Sequence, residues 1–304
     1  MAAAEVEQWK QALVEDLRSP PFSCSVDEMA TMWSVRSVRF VCARPEMMQD
    51  YPELSMRLRG AWGHKLAELG PVERRGFSMP PPYEVLFAPL GKWASGLEVP
   101  KPAVIRGWID GDLLIAEMHL FGWAEVYLDH AADALAAALA AGISLGSGVR
   151  QRVPLRIVDA GEKARGLVEV PGRASSVVLV FRTPVVVRNA GLLRQNPTAI
   201  LKSLLLRVSG MARWQGFTLD ADWRELHARI EGLTFDARHL NDTTWERHSI
   251  RRGDSAIPMH GLLGKLGVSG NLMPLLTFLA LAETCNTGSH AALGLGWYDL
   301  AVYP

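Results

Sequence analysis

The stretch from Ile257 to Tyr303, IPMHGLLGKLGVSGNLMPLLTFLALAETCNTGSHAALGLGWYDLAVY, decides how the rest of the chain is read. Glycines at 261, 264, 267 and 270 precede an apolar helical run to about Ala282. A loop holding Gly288, Gly294 and Gly296 then leads into a final extended run, Trp297 to Tyr303. The order is hairpin, helix, glycine loop, strand. Glycine suits positions where φ is positive or where a backbone must come close to another backbone or a phosphate. The loop therefore reads in two ways, as N–H groups offered to an anion or as a tight turn into the last strand.

Upstream, the same alternation of extended and helical runs occurs twice. Ser34 to Ala43 alternates apolar and polar residues as a strand does, and Tyr51 to Leu69 carries Leu54, Leu58, Trp62, Leu66 and Leu69 on one helical face. Val104 to Ile109 and Leu113 to Phe121 flank Asp110-Gly111, a hairpin turn signal. Alanine-rich Leu128 to Ala141 is helical up to Gly142, and Arg150 to Val158 is a strand candidate. After Gly161 the pattern restarts, with Ser176 to Arg188 extended, Pro197 to Val208 and Ala221 to Ile230 helical, and Trp245 to Arg252 and Leu262 to Ser269 extended. Strand, helix, strand, strand, helix, strand is the ferredoxin-like order. The expectation is an α+β chain with two such domains, residues 1–160 and 161–304, the second enlarged by a helical insertion at about 189–243. An amphipathic helix, Glu5 to Leu17, opens the first of them.

With 49% hydrophobic and 21% charged residues the chain has the composition of a folded protein rather than a disordered one. Its formal net charge is zero, so polyanion binding must rest on local distribution. Val170 to Leu219 contains no Asp or Glu but holds Arg173, Arg182, Arg188, Arg194, Lys202, Arg207 and Arg213. Three cysteines without CxxC spacing support neither a disulfide framework nor a zinc site, and place the protein in a reducing cytoplasm. The first residues are not those of a signal peptide, and no apolar helix is long enough for a bilayer. Gly264-Lys265 is followed by Leu266, not the Ser or Thr of a phosphate-binding loop. The histidines form no HExxH or Cys/His cluster, so neither nucleotide hydrolysis, a metal nor a cofactor is expected.

Two segments carry a resemblance. Gly288-Ser289-His290-Ala291-Ala292-Leu293-Gly294-Leu295-Gly296 is similar to the carboxy-terminal glycine-rich loop of the CRISPR-associated RAMP proteins, especially their precursor-crRNA-processing endoribonucleases. Leu58-Arg59-Gly60-Ala61-Trp62-Gly63 resembles a segment near the start of many RAMP proteins. The position of the helical insertion resembles the helical finger of type IV CRISPR members. The resemblance implies tandem ferredoxin-like domains that bind a CRISPR repeat stem-loop, cut it without a metal to leave a 5′-hydroxyl and a cyclic phosphate, and join other CRISPR effector subunits.

Such cleavage needs a base for the ribose 2′-OH, an acid for the leaving 5′-oxygen and cations for the phosphorane. The family commonly places a catalytic histidine in or near the first helix, which points to His64 with Lys65; Arg36, Arg39 and Arg59 are the arginine alternative. RNA contact is expected from Arg194, Lys202, Arg207 and Arg213. It is also expected from Arg238, His239, Arg247, Arg251 and Arg252 near the hairpin, and from Gly288, Ser289, His290, Gly294 and Gly296 in the loop. A non-catalytic crRNA-binding RAMP subunit is the alternative reading. A third is a ferredoxin-like binding protein without RNA affinity.

Overall fold

The computed structural model describes residues 3–48, 51–74, 77–94, 97–144, 151–165, 168, 170, 172–187, 197–249 and 255–304. Helix α1 (Ala3–Arg18), strand β1 (Phe22–Cys24) and helix α2 (Val26–Met32) lead the chain. Ser25 and Glu28 close the start of α2 with a reciprocal capping box. Then come β2 (Val35–Ala43) and α3 (Leu54–Leu66). A small-element stretch follows: β3 (Val72–Arg74), β4 (Phe77–Met79), α4 (Pro82–Leu86), β5 (Lys92–Ala94) and β6 (Leu97–Glu98). The first lobe is completed by β7 (Ala103–Asp110), β8 (Leu113–Phe121), α5 (Leu128–Ala141), the short pair β9 (Ile143–Ser144) and β10 (Arg152–Val153), and β11 (Ile157–Arg165).

The second lobe holds β12 (Ser176–Val185), α6 (Thr198–Trp214), β13 (Phe217–Leu219), α7 (Trp223–Glu231), β14 (Thr234–Ser249), β15 (Ser255–Ser269), α8 (Met273–Cys285) and β16 (Tyr298–Tyr303). Its sheet runs β14-β15-β12-β16 and that of the first lobe β11-β2-β8-β7, both antiparallel throughout. In each, the fourth strand of the repeat lies beside the first, which lies beside the third, which lies beside the second. Both sheets thus have the ferredoxin-like order that the alternating runs predict.

Period and packing explain the helices. In α3 the stripe Leu54, Leu58, Trp62 and Leu66 is buried, and the Trp62 indole donates to the Ala131 carbonyl of α5 (2.9 Å). The buried alanines of α5 let that helix approach closely. In α8 the apolar run is buried all round, between α6, α2 and the second sheet.

Three expectations are corrected. First, α6 is no insertion: it is the first helix of the second ferredoxin-like order, and its buried Ile200, Leu201, Leu204, Leu205 and Val208 pack on α8. Only β13 and α7 are added to the repeat, and Thr234 to Thr243, expected to belong to the insertion, is the first part of β14. Second, Tyr83 to Pro89, which resembles a short extended segment after the first helix of RAMP proteins and is on that ground expected extended, instead holds most of α4, since Pro82 presets the first-turn φ and Glu84 favours a helix start. Third, Pro154 interrupts the strand expected from Arg150 to Val158, and pairing resumes in β11, which runs past residue 160 to Arg165.

The leading segment does not stay with the first lobe. β1 pairs in parallel with β13, the Trp33 indole donates to Thr284 Oγ1 (3.0 Å), and the Thr277 hydroxyl donates to Asp27 (2.5 Å). At the lobe junction Trp108 meets Trp297 with ring centroids 5.2 Å apart, and Thr183 Oγ1 donates to the Gly294 carbonyl (2.9 Å). Among the described residues no helix is long and apolar enough to cross a membrane.

Candidate nucleic-acid interface

β14 and β15 outrun their sheet. The last pair that β15 makes with β12 is Val185 with Leu262, whereas β14 and β15 stay paired with each other out to Ser249 and Ser255. The resulting two-stranded arm is anchored by Trp245 and Met259, which pack with Leu295 of the glycine loop and with Met56 of α3. The arm is thereby laid beside α3, the helix that carries Arg59 and His64.

His64 is exposed near the end of α3, and among the described residues it makes no hydrogen bond or ion pair. Lys65 is held by Glu68 (2.8 Å). Arg59 lies with its guanidinium carbon 4.0 Å from the centre of the Phe87 ring, and Phe87 stacks on Tyr83 (centroids 5.2 Å apart). Desolvation, and then the charge of Arg247 on the arm, lower Arg59 to about 10. Lys101 is lowered to about 7, first by burial, then by Arg59 and Lys10, with Glu84 and Glu98 opposing. Its ammonium donates to the Ala88 carbonyl, and Lys10 pairs with Glu84.

A prediction follows from Lys101. Its folded value lies below its unfolded one, so the charged form destabilises the fold fully below about pH 7, and the penalty fades as pH rises toward 10.5. Lys101→Met is expected to melt higher than wild type at pH 7, with the gap closing by about pH 10.5. Equal melting temperatures at pH 7 would contradict this account of the burial.

The other arginine candidates are occupied. Arg36 and Arg39 lie on opposite faces of β2, so they do not converge. Arg36 pairs with Glu162, and Arg39 binds Glu117 (2.6 Å), whose second oxygen lies 2.5 Å from Nε2 of the fully buried His119. Burial alone would raise Glu117, but the hydrogen bonds and charges of His119 and Arg39 outweigh it and hold the carboxyl well below the usual range. Lys202 pairs with Glu231 (2.5 Å), and exposed Arg238 with Asp236 (2.7 Å), while His239 is exposed beside it. Arg194, Arg251 and Arg252 lie outside the described residues.

Arg207 and Arg213 face protein rather than solvent. Buried Arg207 donates to the carbonyl of Cys285 (3.1 Å) at the end of α8, and Arg213 to those of Leu17 and Arg18 (both 2.7 Å) at the end of α1. Arg106, absent from the sequence-based candidates, also serves the end of α8, donating to Glu283 O (2.5 Å), Thr284 O (3.1 Å) and Asn286 Oδ1. Helix carboxy termini present unsatisfied carbonyls and partial negative charge, which cations satisfy. Part of the acid-free run is therefore structural.

The glycine loop divides likewise. Gly294 and Gly296 are buried, and a Cβ on Gly294 would lie 2.3 Å from the Ile105 carbonyl oxygen, so the close-packing reading holds for these two. Gly288 is partly buried and Ser289 exposed, its N–H donating to Val186 O (2.6 Å); His290 is partly buried. Among the described residues no His, Cys, Asp and Glu group has metal-binding geometry. The three cysteines are buried free thiols, and burial pushes Cys42 up to about 11.

Residues 179–298 match the family model described as CRISPR-associated endoribonuclease Cas6. Comparison with curated proteins finds no sequence match. Among solved structures, two different Cas6 proteins in product complexes each superpose with a TM-score of 0.53, at 18% and 15% identity, covering 88% of this chain and 99% of theirs. A Cas6 substrate-mimic complex gives 0.51 at 17% identity with the same coverage. The second lobe is thus similar over most of its length to the Cas6 endoribonuclease family model, and the chain shares its fold with Cas6 proteins along nearly the whole length of those structures.

Proposed function

We propose that this protein is a cytoplasmic endoribonuclease that cuts CRISPR precursor RNA within its repeats, without a metal, and keeps hold of the repeat hairpin alongside other CRISPR effector subunits. The observation that carries the catalytic part is His64, exposed and, among the described residues, without a hydrogen bond or ion pair, on the same helix α3 that bears Arg59 and lies beside the cationic arm. In this reading the ribose 2′-oxygen attacks the adjacent phosphorus as its proton passes to a base. The bond from phosphorus to the 5′-oxygen then breaks, and that oxygen takes a proton from an acid, leaving a cyclic phosphate and a 5′-hydroxyl. A histidine serves either proton transfer near neutral pH, and the arginines stabilise the phosphorane.

The similarity to the Cas6 endoribonuclease model, with the fold shared with Cas6 proteins in product and substrate-mimic complexes, supports an RNA substrate. His64→Ala is expected to slow single-turnover cleavage of labelled repeat RNA in EDTA by about 100-fold or more, with affinity nearly unchanged. Unchanged cleavage would remove His64 from the mechanism. A second reading, a crRNA-binding subunit that does not cut, is favoured by the pairing of Arg36 and Arg39, which leaves only Arg59 beside His64 among the catalytic candidates without a carboxylate partner. Tight binding of RNA that stays intact in the same assay would select it.

A further inference from the structure

Arginine and lysine side chains that are drawn out of water normally find a carboxylate, because an uncompensated charge in a desolvated site is costly. Around Arg59 the reverse holds. Arg59 stands three residues along α3 from Met56, which packs against the Trp245 cluster two residues before Arg247, and Lys101 donates to the carbonyl of Ala88, the neighbour of Phe87. The groups acting electrostatically on Arg59 and Lys101, with these two themselves, are the cations Lys10, Arg59, Lys101 and Arg247, the carboxylates Glu84 and Glu98, and the Tyr83 phenol. Glu84 is already taken by Lys10. Among the described residues Arg59 has no ion pair and no hydrogen-bond acceptor; what holds it is the face of Phe87.

That face is built rigidly. Phe87 is clasped between the Tyr83 ring and the edge of Trp62 (6.3 Å), and it lies against the glycine at position 63, where a Cβ would sit 2.2 Å from the ring. The cations come from separate parts of the chain: α3, the segment that follows β6, and the arm of the other lobe. Their convergence is a property of the assembled fold.

We infer that Arg59, Lys101 and Arg247 form one anion site, spanning the two lobes, that takes a single backbone phosphodiester of bound RNA. This deepens the proposed function and rests on it for the identity of the occupant. A phosphodiester suits the place because its charge is delocalised over two oxygens that two guanidiniums can share, and because the flanking Tyr83–Phe87 stack gives an adjoining base an aromatic surface. One phosphate held by both lobes would also fix the arm against α3, on which the exposed His64 stands.

The test uses the full chain and the variants Arg59→Gln, Arg247→Gln and their double. Without RNA each variant is expected to melt at or above the wild-type temperature, since a like-charge contact is relieved. With labelled repeat RNA each single variant is expected to bind about tenfold more weakly, the size of one lost charge-assisted contact. If one phosphate is shared, either single change lowers the slope of log affinity against log salt by about 0.7 to 0.9, and the double change lowers it no further. A double variant losing twice that slope would overturn the shared site, and unchanged affinity in the folded variants would overturn the site altogether.

Should wild type bind no repeat RNA, the proposed function fails, and inorganic pyrophosphate then decides the anion site. A pyrophosphate-induced rise in the wild-type melting temperature that is lost in Arg59→Gln supports the site; no rise overturns it. Competition by poly-glutamate as effective as by RNA of equal charge would overturn the phosphodiester in favour of an acidic protein segment.

Discussion

Arg106→Ala is expected to lower the stability of the chain by about 3 kcal/mol or more, because it removes the donor set at the end of α8 and leaves buried acceptors unpaired. Arg106 is buried, bonds two carbonyls and the Asn286 side chain, and lies 5.1 Å from the centre of the Trp297 ring. Asn286 stands at positive φ, a conformation that its bonded side chain helps hold while the chain leaves the helix. Arg106→Lys is expected to recover little, since an ammonium cannot reproduce the planar fork that meets all three acceptors. Urea unfolding of the two variants measures this. A loss below about 1 kcal/mol in Arg106→Ala would show that water satisfies the end of α8 instead.

Gly294→Ala is expected to cost about 2–4 kcal/mol, combining the penalty of a positive φ with overpacking. The residue has φ +80°, and its new Cβ would lie 2.4 Å from the Ser55 Cβ as well as against the Ile105 carbonyl. Ser55 is in the first turn of α3 and accepts the Gly107 N–H (3.0 Å), so the clash pushes on the helix bearing Arg59 and His64. Cleavage should fall together with stability. The control is Gly60→Ala in the same helix, where a Cβ meets nothing within 4 Å; it should be neutral or stabilising by about 0.5–1 kcal/mol. Melting curves and single-turnover rates for both variants test the pair, and a Gly294→Ala protein as stable as wild type would mean that the lobes part readily at this contact.

What was legible in the sequence is what local period encodes. The alternation in Val35 to Ala43, the stripe Leu54, Leu58, Trp62 and Leu66, and the Asp110-Gly111 turn each report a face or a reversal that neighbouring residues specify together. The ferredoxin-like order followed from them. The site was less legible because its geometry is set by distant partners. Arg207 sits in a run without acids and reads as an RNA contact, yet its partner, the Cys285 carbonyl, is a backbone group that sequence does not mark. Arg106 and Asn286 are 180 residues apart, and nothing local ties Lys101 to Arg59. The role of α6 was illegible for a related reason: its apolar face matches that of an inserted hairpin helix, and only the second sheet, which has no other first helix among the described residues, assigns it to the repeat.

The parallel pairing of β1 with β13, and the lodging of Trp33 against Thr284, set an order of events as the chain acquires its shape. Residues 22 to 34 come off a translating ribosome long before the surface they cover. At roughly 5–20 residues per second they wait on the order of ten seconds or more for α8 to emerge. During that interval the first lobe can close around its own sheet and Trp33 can meet Phe121, but its indole N–H lacks the Thr284 acceptor. Contacts of such sequence separation slow the final docking, because the intervening chain must be ordered before they form. A nascent chain stalled before residue 273 would therefore leave Trp33 without its Thr284 partner and incompletely covered, a natural handle for a chaperone.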